Sequence, residues 1–334
     1  MSKNDNLRMV SILIAARNEE HTILRCLQSI DQLTYPRDQW EVWIGDDDSQ
    51  DQTHTLIEGF ICNKPNFHLL RITNTLGNAR GKANVLAHLA QQAQGDYFLI
   101  TDADVAVPSH WIQCMLAPCQ GQVGVVTGIT IPTYTNTWTA LQAIDWVYAL
   151  YIIEKLSHWQ IPATAMGNNM LVTRASYEAT GGYETIPFSI TEDYQLFKEI
   201  LDRQYTFRQV YSHEALALTL PISTVPAWLQ QRKRWAHGAL QTPWYIRLPL
   251  LAPLFFWIIL LILAFSQPWL SLCLWLGSLL IQTIIAVAGI HRLRQQKLYW
   301  YSILFPLYFQ FGTLATLIYY YLPVKTIWKG RVYE

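Results

Sequence analysis

Between Leu248 and His291 the chain carries no Asp, Glu, Lys or Arg. That stretch of 44 residues is about twice the roughly 20 apolar residues that an α-helix needs to cross a bilayer. Ser266-Gln267-Pro268 lies near its middle and reads as a tight turn, giving expected spans near 248–265 and 269–290. The cluster His291-Arg292-Leu293-Arg294-Gln295-Gln296-Lys297 follows, and its positive charge marks the cytoplasmic side. A third uncharged run, Leu298 to Val324, has Tyr and Trp at both ends like an interfacial aromatic belt, with a span expected near 298–322. Core helices of a soluble protein are the bland alternative. Three spans would also leave the basic tail Lys325…Lys329-Gly330-Arg331 on the side that positive residues avoid. Pro306 and Gly312 are candidate breaks that would turn the third run into a re-entrant or surface-lying segment.

Charge divides the chain in the same place. The 24 basic and 24 acidic residues cancel, but Trp244 to Glu334 holds seven basic residues and only Glu334 as an acid. An acidic part therefore precedes a basic, very apolar one. The balance argues against a polybasic nucleic-acid binder, and 51% hydrophobic residues argue against disorder. The expected organisation is a domain over 1–224, an amphipathic interfacial helix region over 225–247, and a membrane domain over 248–334. Met1–Arg8 is polar and Met9–Ala16 is too short for a span, so no signal peptide is expected and the apolar run reads as a buried strand. The five cysteines show no metal-ligand spacing and fit a reducing compartment, with Cys114 and Cys119 read as ordinary buried thiols.

Up to about residue 224 the pattern alternates strand and helix, which implies a mostly parallel, Rossmann-like α/β sheet. Strands are expected at Val10–Ile14, Trp40–Ile44, His68–Ile72 and Tyr97–Ile100, and helices near Thr22–Leu33 and Lys82–Gln94. In such sheets the ligand lies beyond the carboxyl ends of the strands. Those ends carry Arg17-Asn18-Glu19, Asp46-Asp47-Asp48 and Asp102-Ala103-Asp104. Asp102 and Asp104 fit a hard divalent ion, or equally a solvated turn. Asp46 and Asp47 can accept from a base N–H and ribose hydroxyls, or simply form a turn with a helix N-cap. Gly81-Lys82 opens a helix suited to a diphosphate, a weak signal without a Walker spacing. Glu192 and Asp193 begin a helix, where acids also complement the dipole. Gln230-Gln231-Arg232-Lys233-Arg234-Trp235-Ala236-His237-Gly238 reads in isolation as a basic amphipathic helix on anionic lipid.

Taken in order, Ala16-Arg17-Asn18-Glu19, Asp46-Asp47-Asp48-Ser49-Gln50-Asp51, Asp102-Ala103-Asp104, Thr191-Glu192-Asp193 and Gln231-x-x-Arg234-Trp235 resemble glycosyltransferase family 2, the family of cellulose, chitin and hyaluronan synthases and ceramide glucosyltransferase. The resemblance covers Val10 to about Gly238. It implies a GT-A nucleotide-diphospho-sugar transferase fold followed by C-terminal transmembrane helices. It implies that Ala16, Arg17, Glu19, Asp46, Asp47, Lys82, Asp102 and Gln231 bind the nucleotide sugar, and that Asp104 with Asp102 holds Mg²⁺ or Mn²⁺. Asp193, beside Glu192, would be the general base, while Arg234 and Trp235 close over the diphosphate and acceptor end. One base without a covalent nucleophile implies a single displacement with inversion. The implied partners are a UDP-sugar donor, a lipid or lipid-linked acceptor and membrane lipids, with no nucleic acid. The implied location is a membrane, bacterial inner or plasma, with the catalytic domain in the cytoplasm.

Asp48 stands where many members have Gly, and no span is expected before the catalytic domain. With about three spans after it, a polymer-conducting channel is not expected, which favours a lipid acceptor over a processive polysaccharide synthase, the alternative. The stretch Trp138–Trp159 reads as a helix guiding the acceptor at the membrane face, or as an ordinary core helix. Trp328-Lys329-Gly330-Arg331-Val332-Tyr333 resembles, more weakly, the tails of lipid-glycosylating members.

Overall fold

The computed structural model describes residues 8–240, 244–328 and 331–333, with side chains described for 8–236 and 252–325. Residues Lys329-Gly330 of the basic tail lie outside the described residues. Two compact units result: Met1–Thr130 with Leu156–Leu220, and Ile131–Lys155 with Pro221–Glu334.

The elements run in the order β1 (Val10–Ala16), α1 (Ile23–Asp31), β2 (Trp40–Asp46), α2 (Thr53–Ile61), β3 (Phe67–Arg71), α3 (Lys82–Gln92), β4 (Tyr97–Asp102), α4 (Trp111–Leu116), β5 (Val123–Thr127) and β6 (Ile129–Pro132). Then follow α5 (Thr137–His158), β7 (Asn169–Thr173), α6 (Arg174–Thr180), α7 (Glu192–Asp202), β8 (Thr206–Gln209) and β9 (Leu216–Thr219).

A seven-stranded sheet in the order β3-β2-β1-β4-β7-β5-β8 centres the first unit. The pairs β1–β2, β1–β4, β2–β3 and β5–β8 are parallel, whereas β7 runs antiparallel to both β4 and β5. Strand β1 is apolar along its length because both faces are covered. Ile12 and Ile14 pack with Ile23, Leu27, Ile57, Trp111 and Met115 of α1, α2 and α4. Leu13 faces the other layer, with Val85 and Leu89 of α3 and Leu196, Phe197 and Ile200 of α7. Each such fully buried side chain contributes roughly 1.5–3 kcal/mol. Helix α3 packs against β2 so closely that a Cβ on Gly45 would lie 2.2 Å from Val85 Cγ1. That contact fixes where Lys82, the first residue of α3, can stand. The register aligns Ala16 with Asp46 and Ala15 with Asp102, so three strands deliver their polar ends to one edge.

In the second unit α8 (Val225–Leu240), α9 (Trp244–Ser266), α10 (Pro268–Arg292), α11 (Tyr299–Ser302) and α12 (Phe305–Tyr321) precede a short hairpin of β10 (Thr326–Trp328) and β11 (Arg331–Tyr333). Ile131–Lys155, most of α5, also belongs here. The turn expected at Ser266-Gln267-Pro268 separates α9 from α10, with Gln267 as N-cap and Pro268 in the first turn. Among the described residues α10, 25 residues long, is long and apolar enough to cross a bilayer. Its Leu272, Leu276, Leu280, Ile281 and Ile284 are exposed. Residues Ala252–Ser266 form a shorter apolar helix. The third uncharged run is broken: Gln296–Ser302 and Phe305–Tyr321 meet at 68°, with Pro306 in the first turn of α12. Gly312 does not break α12. It makes room for Trp228, whose Cη2 would lie 3.0 Å from an added Cβ.

All five cysteines are free: Cys26 and Cys119 are buried, Cys114 is half-buried, and Cys62 and Cys273 are exposed.

Candidate active site

The first unit gathers charge at the carboxyl edge of its sheet. Lys82 Nζ lies 2.6 Å from Asp102 Oδ1 and 3.1 Å from Glu192 Oε1, and donates to the Gly167 carbonyl at 3.2 Å. One ammonium thus links the end of β4, the loop before β7 and the start of α7. Burial alone would lower the pKa of Lys82, but Asp102, Glu192 and Asp193 outweigh it and hold the ammonium above its ordinary value. Burial pushes the Glu192 carboxyl up, and Lys82 offsets this only in part, since Asp193 and Asp102 act in the same direction as burial.

Asp193 is held from two sides. The Gly167 N–H donates to Oδ2 and the Tyr194 N–H to Oδ1, both at 2.8 Å. Gly167 has no room for a side chain, because a Cβ there would lie 2.7 Å from Asp193 Cβ and 2.8 Å from Oδ2. An ionised carboxylate accepts at about four lone-pair positions, so two N–H donors fix its orientation and leave capacity for an incoming hydroxyl.

The neighbouring loops form a second cluster. Asp47 N–H donates to the Ala16 carbonyl at 2.9 Å, and Arg17 Nη1 donates to the Asp47 carbonyl while lying 3.7 Å from its carboxylate. Glu19 N–H donates to Thr53 Oγ1 at 2.7 Å, and Glu19 Oε2 accepts from Thr22 Oγ1. Asp46 turns inward, its side chain 3% exposed, with Oδ1 accepting from Ser49 N–H and Oδ2 lying 2.9 Å from His54 Nδ1. Asp48 has φ +56°, a backbone region in which Gly is least strained and Asp is tolerated. This accounts for the glycine many family-2 members place there. Nothing in the sequence marks His54 as a site residue, whereas Gly167 lies within Met166-Gly167-Asn168-Asn169-Met170, whose Met and Asn are expected to face the donor sugar or the acceptor. His54 belongs to no recognised motif, although His54 and Glu58 stand at i,i+4 on α2.

The acidic pair after β4 splits. Asp102 meets Lys82, while Asp104 Oδ2 accepts from Thr219 Oγ1 at 2.9 Å and its carbonyl from Arg25. No group of three His, Cys, Asp or Glu side chains forms a closed metal site among the described residues. The donor set still fits a hard cation. Asp102 and Asp104 stand at and just after the end of β4 with hard carboxylate oxygens, the donor type that Mg²⁺ or Mn²⁺ takes.

Gln231, Arg234 and Trp235 lie on α8, in the second unit. Trp235 packs edge-on to Trp146 at 5.2 Å. Arg232, inside the Q-x-x-R-W motif, stacks over Trp228 and Trp235 and pairs with Asp145.

A model of the family described as Glycosyl transferase family 21 matches residues 2–334. The chain is 28% identical over 241 residues to a β-monoglucosyldiacylglycerol synthase of a Synechocystis strain, covering 70% of this chain and 48% of that one. It is 28% identical over 243 residues to a poly-β-1,6-N-acetyl-D-glucosamine synthase of Staphylococcus epidermidis, covering 71% and 56%. The chain therefore spans about half the length of the curated relatives it matches. Among solved structures, a mannosyltransferase of Pyrobaculum calidifontis in complex with GDP-Man and Mn²⁺ is similar with a TM-score of 0.61 and 19% identity, covering 94% of this chain and 87% of that one. The likeness is one of fold, and it agrees with the GT-A architecture expected from the motifs.

Proposed function

The chain belongs to glycosyl transferase family 21, and from that premise we propose that it transfers a sugar from a UDP-sugar to a hydroxyl of a lipid or lipid-linked acceptor, as an integral membrane enzyme whose first unit faces the cytoplasm. The observation that carries the reading is Asp193, held by the Gly167 and Tyr194 N–H groups beside the Lys82–Asp102–Glu192 cluster. Asp193 takes the proton of the acceptor hydroxyl as that oxygen attacks the anomeric carbon, and the bond to the diphosphate breaks on the opposite face. The result is a single, inverting displacement, as in the family-2 enzymes whose motifs the chain shares. Lys82 supplies positive charge near the departing diphosphate. A Mg²⁺ or Mn²⁺ ion held by Asp102 and Asp104 would stabilise the charge of the leaving group when bound. On the motif alone, Arg234 and Trp235 are assigned to the diphosphate and acceptor end.

The apolar helix α10 and the diacylglycerol-glycosylating relatives support the lipid acceptor and the membrane location. The poly-N-acetylglucosamine synthase relative favours one alternative, processive transfer. Membranes carrying the chain, given UDP-sugars, a divalent ion and a lipid extract, are expected to form a lipid heavier by one or two hexose units, detected by mass spectrometry. Asp193→Asn is expected to abolish it while UDP binding persists. A ladder of long polymer would favour the processive alternative, and retained anomeric configuration would exclude the single displacement.

A further inference from the structure

We infer that His54 is a positioning residue for the nucleotide, acting through Asp46; the inference rests on the nucleotide-sugar reading above. The side chain of Asp46 is buried, and both of its oxygens are engaged within the protein. Oδ1 caps the turn through Ser49 N–H at 3.1 Å, and Oδ2 meets His54 Nδ1 at 2.9 Å. Asp46 therefore shapes the turn that presents its neighbours, and the contact with a nucleoside falls to Asp47, whose side chain is 17% exposed and whose backbone is braced by Ala16 and Arg17.

His54 stands in the first turn of α2, so its bond to Asp46 keys the turn to the helix. Glu58, one helical turn further on, lies 3.3 Å from His54 Nε2 and orients the ring. Asp46, His54 and Glu58 form a chain running from the nucleotide turn to the surface. Without a donor at residue 54, Asp46 Oδ2 is left buried with its partner gone, and the turn can relieve that cost only by opening.

The geometry discriminates between substitutions. The amide nitrogen of Asn is attached to Cγ, as Nδ1 of His is, and so reaches Asp46. The amide of Gln sits one bond further out, toward the position of Nε2. The test is UDP binding by calorimetry to the detergent-solubilised full chain with Mn²⁺ present. His54→Gln and His54→Ala are expected to weaken UDP binding about tenfold, whereas His54→Asn stays within about threefold of wild type. Should the alanine variant fail to fold, His54→Leu, closer in volume and unable to donate, replaces it. Equal UDP affinity in wild type, His54→Gln and His54→Asn would overturn the role of His54 and leave the nucleotide reading standing. A wild-type chain that binds no UDP would overturn that reading and this inference with it.

Discussion

Gly167 shows how much of the proposed catalytic geometry depends on an atom that is missing. Its N–H holds Asp193 Oδ2, its carbonyl holds Lys82, and a methyl group at its Cα would overlap the Asp193 side chain. Gly167→Ala must displace that carboxylate, and a shift of about 1 Å in a general base costs on the order of a hundredfold in rate. Gly167→Ala is therefore expected to lower the single-turnover rate by roughly that factor, with UDP affinity changed less than about twofold. An unchanged rate would show that Asp193 does not act as the base from this position. The acidic residues were legible at this scale because a motif coincides with a strand end at Asp102 and with a helix start at Glu192-Asp193. The inward turn of Asp46 was not legible: it depends on His54, eight residues away, and only the packing of α2 brings the two together.

Helices and strands were legible wherever apolar period and length agreed. The long helices of the second unit and strands β1 to β4 lie close to their expected positions. Strands β5, β6, β8 and β9 were not anticipated, since runs of four or five residues such as Val123–Thr127 carry no alternation once both faces are buried. Helix α8 gives the clearest contrast. Read as a basic face on anionic lipid, it instead uses two of its cations inside the second unit. Arg232 pairs with Asp145, and Lys233, 5% exposed, donates to the carbonyls of Leu322 and Val324 at 2.8 Å and of Tyr319 at 3.5 Å. The ammonium thus caps the carbonyl end of α12, where a positive charge also meets the helix dipole favourably. Lys233→Met would keep the apolar stem and strand the carbonyls, at a cost of about 1–3 kcal/mol. The expected reading is a melting temperature lowered by several degrees in detergent, with Lys233→Arg partly restoring it. No shift for the methionine variant would mean that water serves those carbonyls equally well.

At the scale of the whole chain, charge patterning revealed the division into an acidic part and a basic apolar part. It did not reveal that Ile131–Lys155 belongs with the second, because the partners of its charges lie far along the sequence: Asp145 meets Arg232, and Glu154 meets Arg292 at 2.7 Å. Three uncharged runs and a basic tail leave the number of membrane crossings in conflict, and if the second unit sits in a bilayer its internal contacts predict two. Helices α9 and α10 turn back at Gln267, tied by Ser271 Oγ to the Leu260 carbonyl, so Arg292, Arg294 and Lys297 return to the side where α9 began. That is the side of α8. Helix α12 reaches inward as far as Gln310, which bonds Trp275, Ser278 and Gln282 near the middle of α10. Its far end is then held to α8, because Gln230 bonds the Tyr319 hydroxyl and the Lys325 carbonyl while Lys233 holds the last turn. A segment that starts after the basic loop and ends beside α8 would then enter and return, which its 68° bend permits. Two crossings would put the basic loop and Lys325 on one side, as the positive-inside bias asks. In a background with Cys62 and Cys273 changed to Ser, Arg294→Cys and Lys325→Cys are expected to react with an impermeant thiol reagent in inside-out vesicles and not in intact cells. Gln267→Cys should show the reverse. Labelling of Lys325→Cys in intact cells, with Arg294→Cys protected there, would make α12 a third crossing and leave its bonds to α8 without an explanation.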